Sequence, residues 1–338
     1  MEKKMMGWEE ILQNLNLVSR SFALCIPTLE AGLRDQIGLS YLLMRALDSI
    51  EDSTLPLDKK DFLFKAFSDA LEVPEDLELN IDRLTSVPMQ GIKVEEVTFF
   101  KSPSFGNVFS SFWSLGLRER EIIKKYCLEM RKGMIKFGGD DPFISGINGE
   151  NFIKSMSLYN EYCYYVAGTV GLLVTELAEI FYQEDLEKGW SDFSLGFGRC
   201  LQKTNIIKDH LDDLKKGHCF LPIDFFQSKL RFSSPLRLDL DMALNDIRKE
   251  FELARSYLGL LPESFKGLRK FCLLAIIPAY KTIKFGAKHW EDIERGLKPF
   301  KISRAEMGEC LLFANKVYQG QDSLDNLHND LFFEGRSF

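Results

Sequence analysis

Histidine is scarce in this chain. There are four copies, His210, His218, His289 and His328, and no two stand at the short spacing of paired metal ligands. A zinc centre of the usual kind is therefore excluded. The seven cysteines are scattered singly with no C-x-x-C pair, as expected of reduced thiols in a cytoplasmic protein rather than a disulfide framework. Basic excess is missing too. Lys and Arg number 43 against 50 Asp and Glu, a net charge of −7, which leaves no footprint for nucleic acid and no polybasic grip on anionic lipid. Long apolar runs are absent: Phe271–Tyr280 spans about ten residues, roughly half of what a bilayer requires. Met1–Gln13 lacks the apolar core of a secretory signal, and Leu331–Phe338 is no hydrophobic tail. The expectation is a soluble protein with no transmembrane segment. Its amphipathic Met1–Leu17 is suited to peripheral contact with a membrane surface, although packing on its own domain is the better reading.

What the chain has is helical periodicity. Strand signals are sparse, and apolar residues recur at three- and four-residue spacing over long segments. This predicts an all-α chain, read as one domain over residues 1–338 because no repeat or linker divides it. Helices are expected over Leu29–Asp52 with Thr28 as N-cap, Lys59–Leu71, Val108–Phe137, Gly149–Tyr182, Asp192–Lys215, Leu236–Leu260, Lys266–Gly286 and Ser303–Val317. Pro278 is expected to kink the seventh of these. Leu77–Gly106, with Pro88, Gly91, Pro103 and Gly106, reads as a loop holding one or two short helices. The 28 Phe are more than a core needs and suit the lining of a pocket for a long apolar ligand, although composition alone favours simple filling of interhelical space.

Two acidic clusters stand out. Asp48, Glu51 and Asp52 fall at i, i+3 and i+4, and Asp209, Asp212 and Asp213 repeat that spacing. On a helix each trio projects from one face. Like charges so placed repel by about 0.2–0.5 kcal/mol per pair, and each trio sits near a helix C-terminus, where the macrodipole disfavours anions. Such penalties point to a bound cation. Mg²⁺ takes oxygen ligands and is commonly shared between one or two carboxylates and substrate phosphates. The spacing suits two helices facing across a cleft. A solvated acidic face is the bland alternative for either cluster alone.

Companion residues are less specific. Arg45 and Lys208 either meet a phosphate or pair with neighbouring carboxylates. Ser19-Arg20-Ser21 suits phosphate recognition. Gln202, Asn205 and Asp209 share one helix side. The tyrosines at 159, 162, 164 and 165 precede a small-residue run, Val166–Gly171, that permits close approach of a partner helix or a prenyl chain.

Four segments carry a family resemblance: SRSFALCIP (Ser19–Pro27), YLLMRALDSIED (Tyr41–Asp52), EYCYYVAGTVG (Glu161–Gly171) and LQKTNIIKDHLDD (Leu201–Asp213). Glu129–Met134 and Lys301–Arg304 extend it over most of the chain. Together they resemble the head-to-head trans-isoprenoid synthases, the squalene, dehydrosqualene and phytoene synthases, with YCYYVAG and QKTNIIKD nearest the squalene synthases. The resemblance implies an isoprenoid-synthase helical bundle around a large central cavity. It also implies two farnesyl diphosphates condensing through presqualene diphosphate with Mg²⁺, followed by reduction with NADPH. Carried over by position, Asp48, Asp52, Asp209 and Asp213 would hold Mg²⁺, supported by Glu51 and Asp212. Ser19, Arg20, Arg45 and Lys208 would face diphosphate, with Tyr41 and Tyr165 near the reacting carbons. Gln202 and Asn205 match the same motif, and Phe22 and Phe271 are candidate cavity walls.

Two departures bear on the detail. Eukaryotic squalene synthases usually end in a membrane anchor that this sequence does not show, so a bacterial-type soluble enzyme is the expectation. Where the resemblance places an Arg for the NADPH phosphate, this chain has His218, with Lys216, Lys301 and Arg304 as substitutes. A reductant-free sibling, making dehydrosqualene, hydroxysqualene, presqualene diphosphate or phytoene, is the alternative. A non-catalytic helical lipid binder is the reading from another class.

Overall fold

The computed structural model describes residues 5–19, 21–145, 150–226 and 237–332, and it falls into two compact units. The first comprises Met1–Gly139 and Leu173–Asp185, the second Asp140–Leu172 and Leu186–Phe338.

In the first unit eight helices follow one another: α1 (Trp8–Val18), α2 (Phe22–Cys25), α3 (Leu33–Asp52), α4 (Leu57–Glu72), α5 (Leu77–Ser86), α6 (Val94–Lys101), α7 (Pro103–Trp113) and α8 (Leu117–Phe137). α3 packs on α1, α4, α7 and α8. Its buried positions are Leu33, Ile37, Leu39, Leu42, Leu43, Met44, Ala46, Leu47 and Ile50 plus Gly38 and two serines, so its core contacts are almost wholly apolar. Phe67, Phe99, Phe105 and Phe109 pack edge to face beneath it. α3 begins four residues later than the spacing predicts. Gly32, at φ +90°, takes the cap position, while the Thr28 hydroxyl donates to the Cys25 carbonyl and is occupied elsewhere. The stretch read as a loop with one or two short helices holds α5, α6 and the start of α7, which Pro103 opens at a first-turn position that needs no N–H. The break inside Val108–Phe137 comes at Gly116, which caps α8.

The second unit holds β1 (Phe143–Ser145), β2 (Asn151–Ile153), α9 (Met156–Cys163), a π-helical turn (Tyr164–Gly168), the start of α10 (Thr169–Tyr182), α11 (Trp190–Lys215) and β3 (His218–Pro222). α12 (Leu240–Leu260), α13 (Lys266–Lys288), α14 (Trp290–Glu294), α15 (Arg304–Tyr318) and α16 (Leu324–Phe332) complete it. The strands form a small sheet, β1 antiparallel and β3 parallel to β2. Sequence periodicity misses it, since strands of three to five residues are too short for a readable period. α13 runs unbroken through Pro278. Leu324–Phe332, beyond the last helix expected from the sequence, forms α16.

The small-residue run serves helix contact. A Cβ at Gly198 would lie 2.1 Å from the Ala167 carbonyl oxygen, and one at Gly171 would lie 2.1 Å from that of Ser194. Backbone therefore meets backbone between the 164–171 stretch and α11, as only glycine allows. The run Met156–Tyr182 is long and apolar enough to cross a membrane by length and composition, a test that core helices also pass.

Candidate active site

The first acidic trio sits on the last turns of α3, where its backbone leaves carbonyls unpaired. Lys60, on α4, answers this by donating its ammonium to the Glu51 carbonyl at 2.6 Å. Asp48 receives Arg45 Nη1 at 3.3 Å, and Arg45 Nη2 donates to Glu96, a buried carboxylate on α6. Sequence reasoning missed both Lys60 and Glu96. Glu96 falls in the stretch read as a loop; its signal was an acidic residue three before Phe99-Phe100, on a face that proves to be buried.

The electrostatics are those of a site short of positive charge. Burial pushes Asp48 up to about 7, against the pull of Arg45 and with the repulsion of Asp52. Burial and its two acidic neighbours raise Glu51 well above the carboxylate range despite Lys60. Burial lowers Lys60 itself. Among the described residues no three Asp, Glu, His or Cys side chains converge to hold a metal unaided. That donor set fits Mg²⁺, which draws most of its ligands from water and phosphate.

Two turns before Asp48 on α3 lies Tyr41, its ring 5.2 Å from Phe22. The Ser19 hydroxyl accepts the Phe22 N–H at 3.1 Å, which ties the start of α2 to this place. Burial raises Tyr41, so its phenol is a neutral donor; its hydrogen bond with Ser19 works the other way. Ser19, Phe22, Tyr41, Arg45, Asp48, Glu51 and Asp52 all belong to the first unit. Arg20 lies outside the described residues.

The second trio closes α11 in the second unit. Here Asp209 and Asp212 are exposed and Asp213 half-buried, and all three are already met by lysines: Lys208 to Asp209 at 3.2 Å, Lys215 to Asp212 at 2.8 Å and Lys216 to Asp213 at 3.9 Å. The hydrogen bond from Lys215 pulls Asp212 below the ordinary carboxylate value. Lys208 also donates to Asn205 Oδ1 at 3.1 Å, while Gln202 is half-buried one turn back. His210 turns inward, bonded to the Ile207 carbonyl at 2.7 Å and stacked on Trp290. Burial holds it neutral by lowering its pKa.

Behind this face α11 is anchored by charge. Lys203, only 1% exposed, pairs with Asp246 at 2.8 Å and Glu250 at 2.9 Å, both on α12, and Arg199 joins Glu250 at 3.0 Å. Burial works to lower Lys203, but Asp246 and Glu250 win and raise it. Sequence reasoning gave Lys203 no part, since its partners stand 43 and 47 residues further on.

Tyr165 is half-buried in the π-helical turn, 5.1 Å from the Tyr164 ring. Phe271 is buried on α13. His218, on β3, has its ring 4.4 Å from Phe143 and 6.0 Å from Phe220. Burial lowers its pKa, with Asp140 opposing, so at neutral pH it offers a phosphate no positive charge. Lys301 and Arg304 flank Ser303, the N-cap of α15, and both are exposed.

Over residues 15–298 the chain matches the squalene/phytoene synthase family. It belongs to that family. It is 32% identical to squalene synthase 1 of Arabidopsis thaliana over 219 residues, covering 64% of this chain and 48% of that one. With the squalene synthase of Nicotiana benthamiana the identity is 33% over 301 residues, 85% of this chain and 66% of the relative. The chain thus spans about half the length of several curated relatives it matches. TcSQS in complex with the ligand BPH1237 shares the fold, with a TM-score of 0.71 and 23% identity over 96% of this chain and 97% of that one. The all-α expectation holds, and the fold is that of the isoprenoid synthases.

Proposed function

We propose that this chain is a prenyltransferase that joins two farnesyl diphosphates head to head through presqualene diphosphate and carries the product on to squalene. The observation that supports this best is the first trio: three carboxylates on one face of α3, of which desolvation and their mutual repulsion raise Asp48 and Glu51, in a member of the squalene/phytoene synthase family. Asp48, Asp52, Asp209 and Asp213 would hold Mg²⁺, with Glu51 and Asp212 in support. When bound, the ion supplies the positive charge that lets diphosphate leave.

The protein's own groups do the rest. Arg45 is a fixed cation for the leaving diphosphate, and Ser19, Arg20 and Lys208 add donors. Tyr41 keeps its proton and so presents a neutral O–H beside an aromatic face, able to donate to a phosphate oxygen and to stabilise cationic carbon. Tyr165 would sit beside the reacting carbons, Gln202 and Asn205 near the second trio, and Phe22 and Phe271 against the prenyl chains.

NADPH, when bound, would supply the hydride of the last step, with Lys216, Lys301 and Arg304 as the exposed cations for its phosphates. The neutral His218 favours a second reading, a reductant-free product such as dehydrosqualene or hydroxysqualene. Incubation of the purified protein with farnesyl diphosphate and Mg²⁺, with and without NADPH, separates them. Squalene formed only with NADPH supports the first reading. The same C30 product in both tubes supports the second. No turnover of farnesyl diphosphate sinks both, and geranylgeranyl diphosphate would then test the phytoene reading.

A further inference from the structure

Asp48 shares its arginine with a carboxylate outside its own helix. An arginine three residues before an aspartate on one helix can reach it with its whole fork and form a bidentate pair. Here that does not happen. Arg45 gives Asp48 one nitrogen at 3.3 Å, the long end of a hydrogen bond, and gives its other terminal nitrogen to Glu96. The buried Arg45 Nε has no hydrogen-bond partner among the described residues. Glu96 is 3% exposed, and its nearest other cation, Lys93, stands 3.6 Å away with its side chain largely in solvent. Among the described residues, the cation buried with Glu96 is thus the guanidinium it draws toward α6.

A carboxylate clamped by a full guanidinium fork is a poor ligand, because an arriving cation must first displace the fork. We propose that Glu96 is a positioning residue: it holds Arg45 partly off Asp48 and so keeps that carboxylate open to a metal–diphosphate ligand. The inference rests on the reading of the α3 trio given above. Glu96 repels Asp48 through space, but its hydrogen bond is with Arg45, and it is through Arg45 that it positions.

Binding tests this without turnover. The probes are Mn²⁺ and inorganic pyrophosphate, with uptake followed by loss of the free Mn²⁺ magnetic-resonance signal. Glu96→Gln keeps the shape and one acceptor oxygen but drops the charge. At saturating pyrophosphate it is expected to weaken Mn²⁺ binding about tenfold, the effect of roughly 1.4 kcal/mol. Pyrophosphate binding without metal should hold or tighten, since one negative charge has gone. Glu96→Asp, which restores the charge, should return Mn²⁺ affinity to within about threefold. In an Arg45→Met background Glu96→Gln should change it by less than about twofold, because the coupled partner is missing. Parent-like Mn²⁺ affinity in Glu96→Gln, or equal weakening in both backgrounds, overturns the proposal and leaves Glu96 a packing residue, whatever happens to the melting temperature. If the parent protein itself takes up no Mn²⁺ with pyrophosphate, the reading of the α3 trio fails and the inference falls with it.

Discussion

Helices α3 and α11 carry the same spacing of three carboxylates near the same end, yet their surroundings are opposite. On α3 the core face is apolar; Asp48 keeps 25% of its side chain in solvent, Glu51 is half-buried and Asp52 is exposed. On α11 Asp209 and Asp212 are open, at 51% and 70%, while Asp213 keeps 19%, and it is the core face that carries buried charge, Lys203 with Asp246 and Glu250. Identical spacing therefore does not mean identical electrostatics. Asp48 and Glu51 have raised pKa values despite Arg45 and Lys60, whereas each carboxylate of the other trio meets a lysine one turn or less away. The first is poised to take up a cation, and the second must exchange ammonium groups for one.

The comparison breaks most visibly at the anchor. Lys203→Met strands Asp246 and Glu250 in the core and should destabilise the protein by about 3–5 kcal/mol, as removing one partner of a buried pair does. Lys215→Met, at the exposed trio, should stay within about 0.5 kcal/mol. Denaturant melts of both variants check this. Equal losses would mean that the buried network contributes no more than a surface pair.

Next comes turnover. Asp48→Asn should lower product formation by about 10²–10³-fold, the scale of losing one preorganised charge-stabilising group. Asp212→Asn, whose carboxylate is held by Lys215, should lose less than about tenfold. Steady-state assays with farnesyl diphosphate decide it, and the reverse ranking would show that exposure, not charge deficit, marks the working cluster.

Helix support differs as well. A Cβ at Gly198 on α11 meets the Ala167 carbonyl at 2.1 Å, which is backbone and cannot yield. A Cβ at Gly38 on α3 meets the Ile11 side chain at 2.7 Å, which can turn aside. Gly198→Ala should therefore destabilise by about 1–3 kcal/mol through overpacking. Gly38→Ala should come out near zero, its clash offset by about 1 kcal/mol of gained helix propensity. Thermal melts of the pair measure the difference.

The sequence showed the parts of this comparison that repeat and hid those that pair. Both trios, their helices and the segments Tyr41–Asp52 and Leu201–Asp213 are legible because i, i+3, i+4 spacing is local. Lys203 sat unread inside one of those segments because Asp246 and Glu250 lie on another helix. Glu96 was hidden for a second reason: Pro88, Gly91 and Pro103 punctuate short helices there rather than a loop. The raised pKa values follow from burial, and a sequence does not state how deep a carboxylate sits.

The smallest effect is also the one most specific to the contrast. Asp48 and Glu51 have folded pKa values raised above their unfolded ones, so the folded state binds the extra protons. Their stabilising contribution is present below about pH 4 and is lost as pH climbs, for Asp48 through about 7. Asp212, with its pKa lowered, acts in the opposite sense and only as pH falls below about 4, which is outside that window. In chelator-treated protein this part of the stability should therefore fall by about 1 kcal/mol or more between pH 5 and 8. Asp48→Asn should flatten that slope, and Asp212→Asn should leave it as it is. Mg²⁺ with pyrophosphate should flatten it too, by supplying the charge that the α3 trio lacks. Calorimetric melts at several pH values read the slope directly. If it is unchanged in Asp48→Asn, the α3 trio is already neutralised in the resting protein, and the two helices differ in exposure alone.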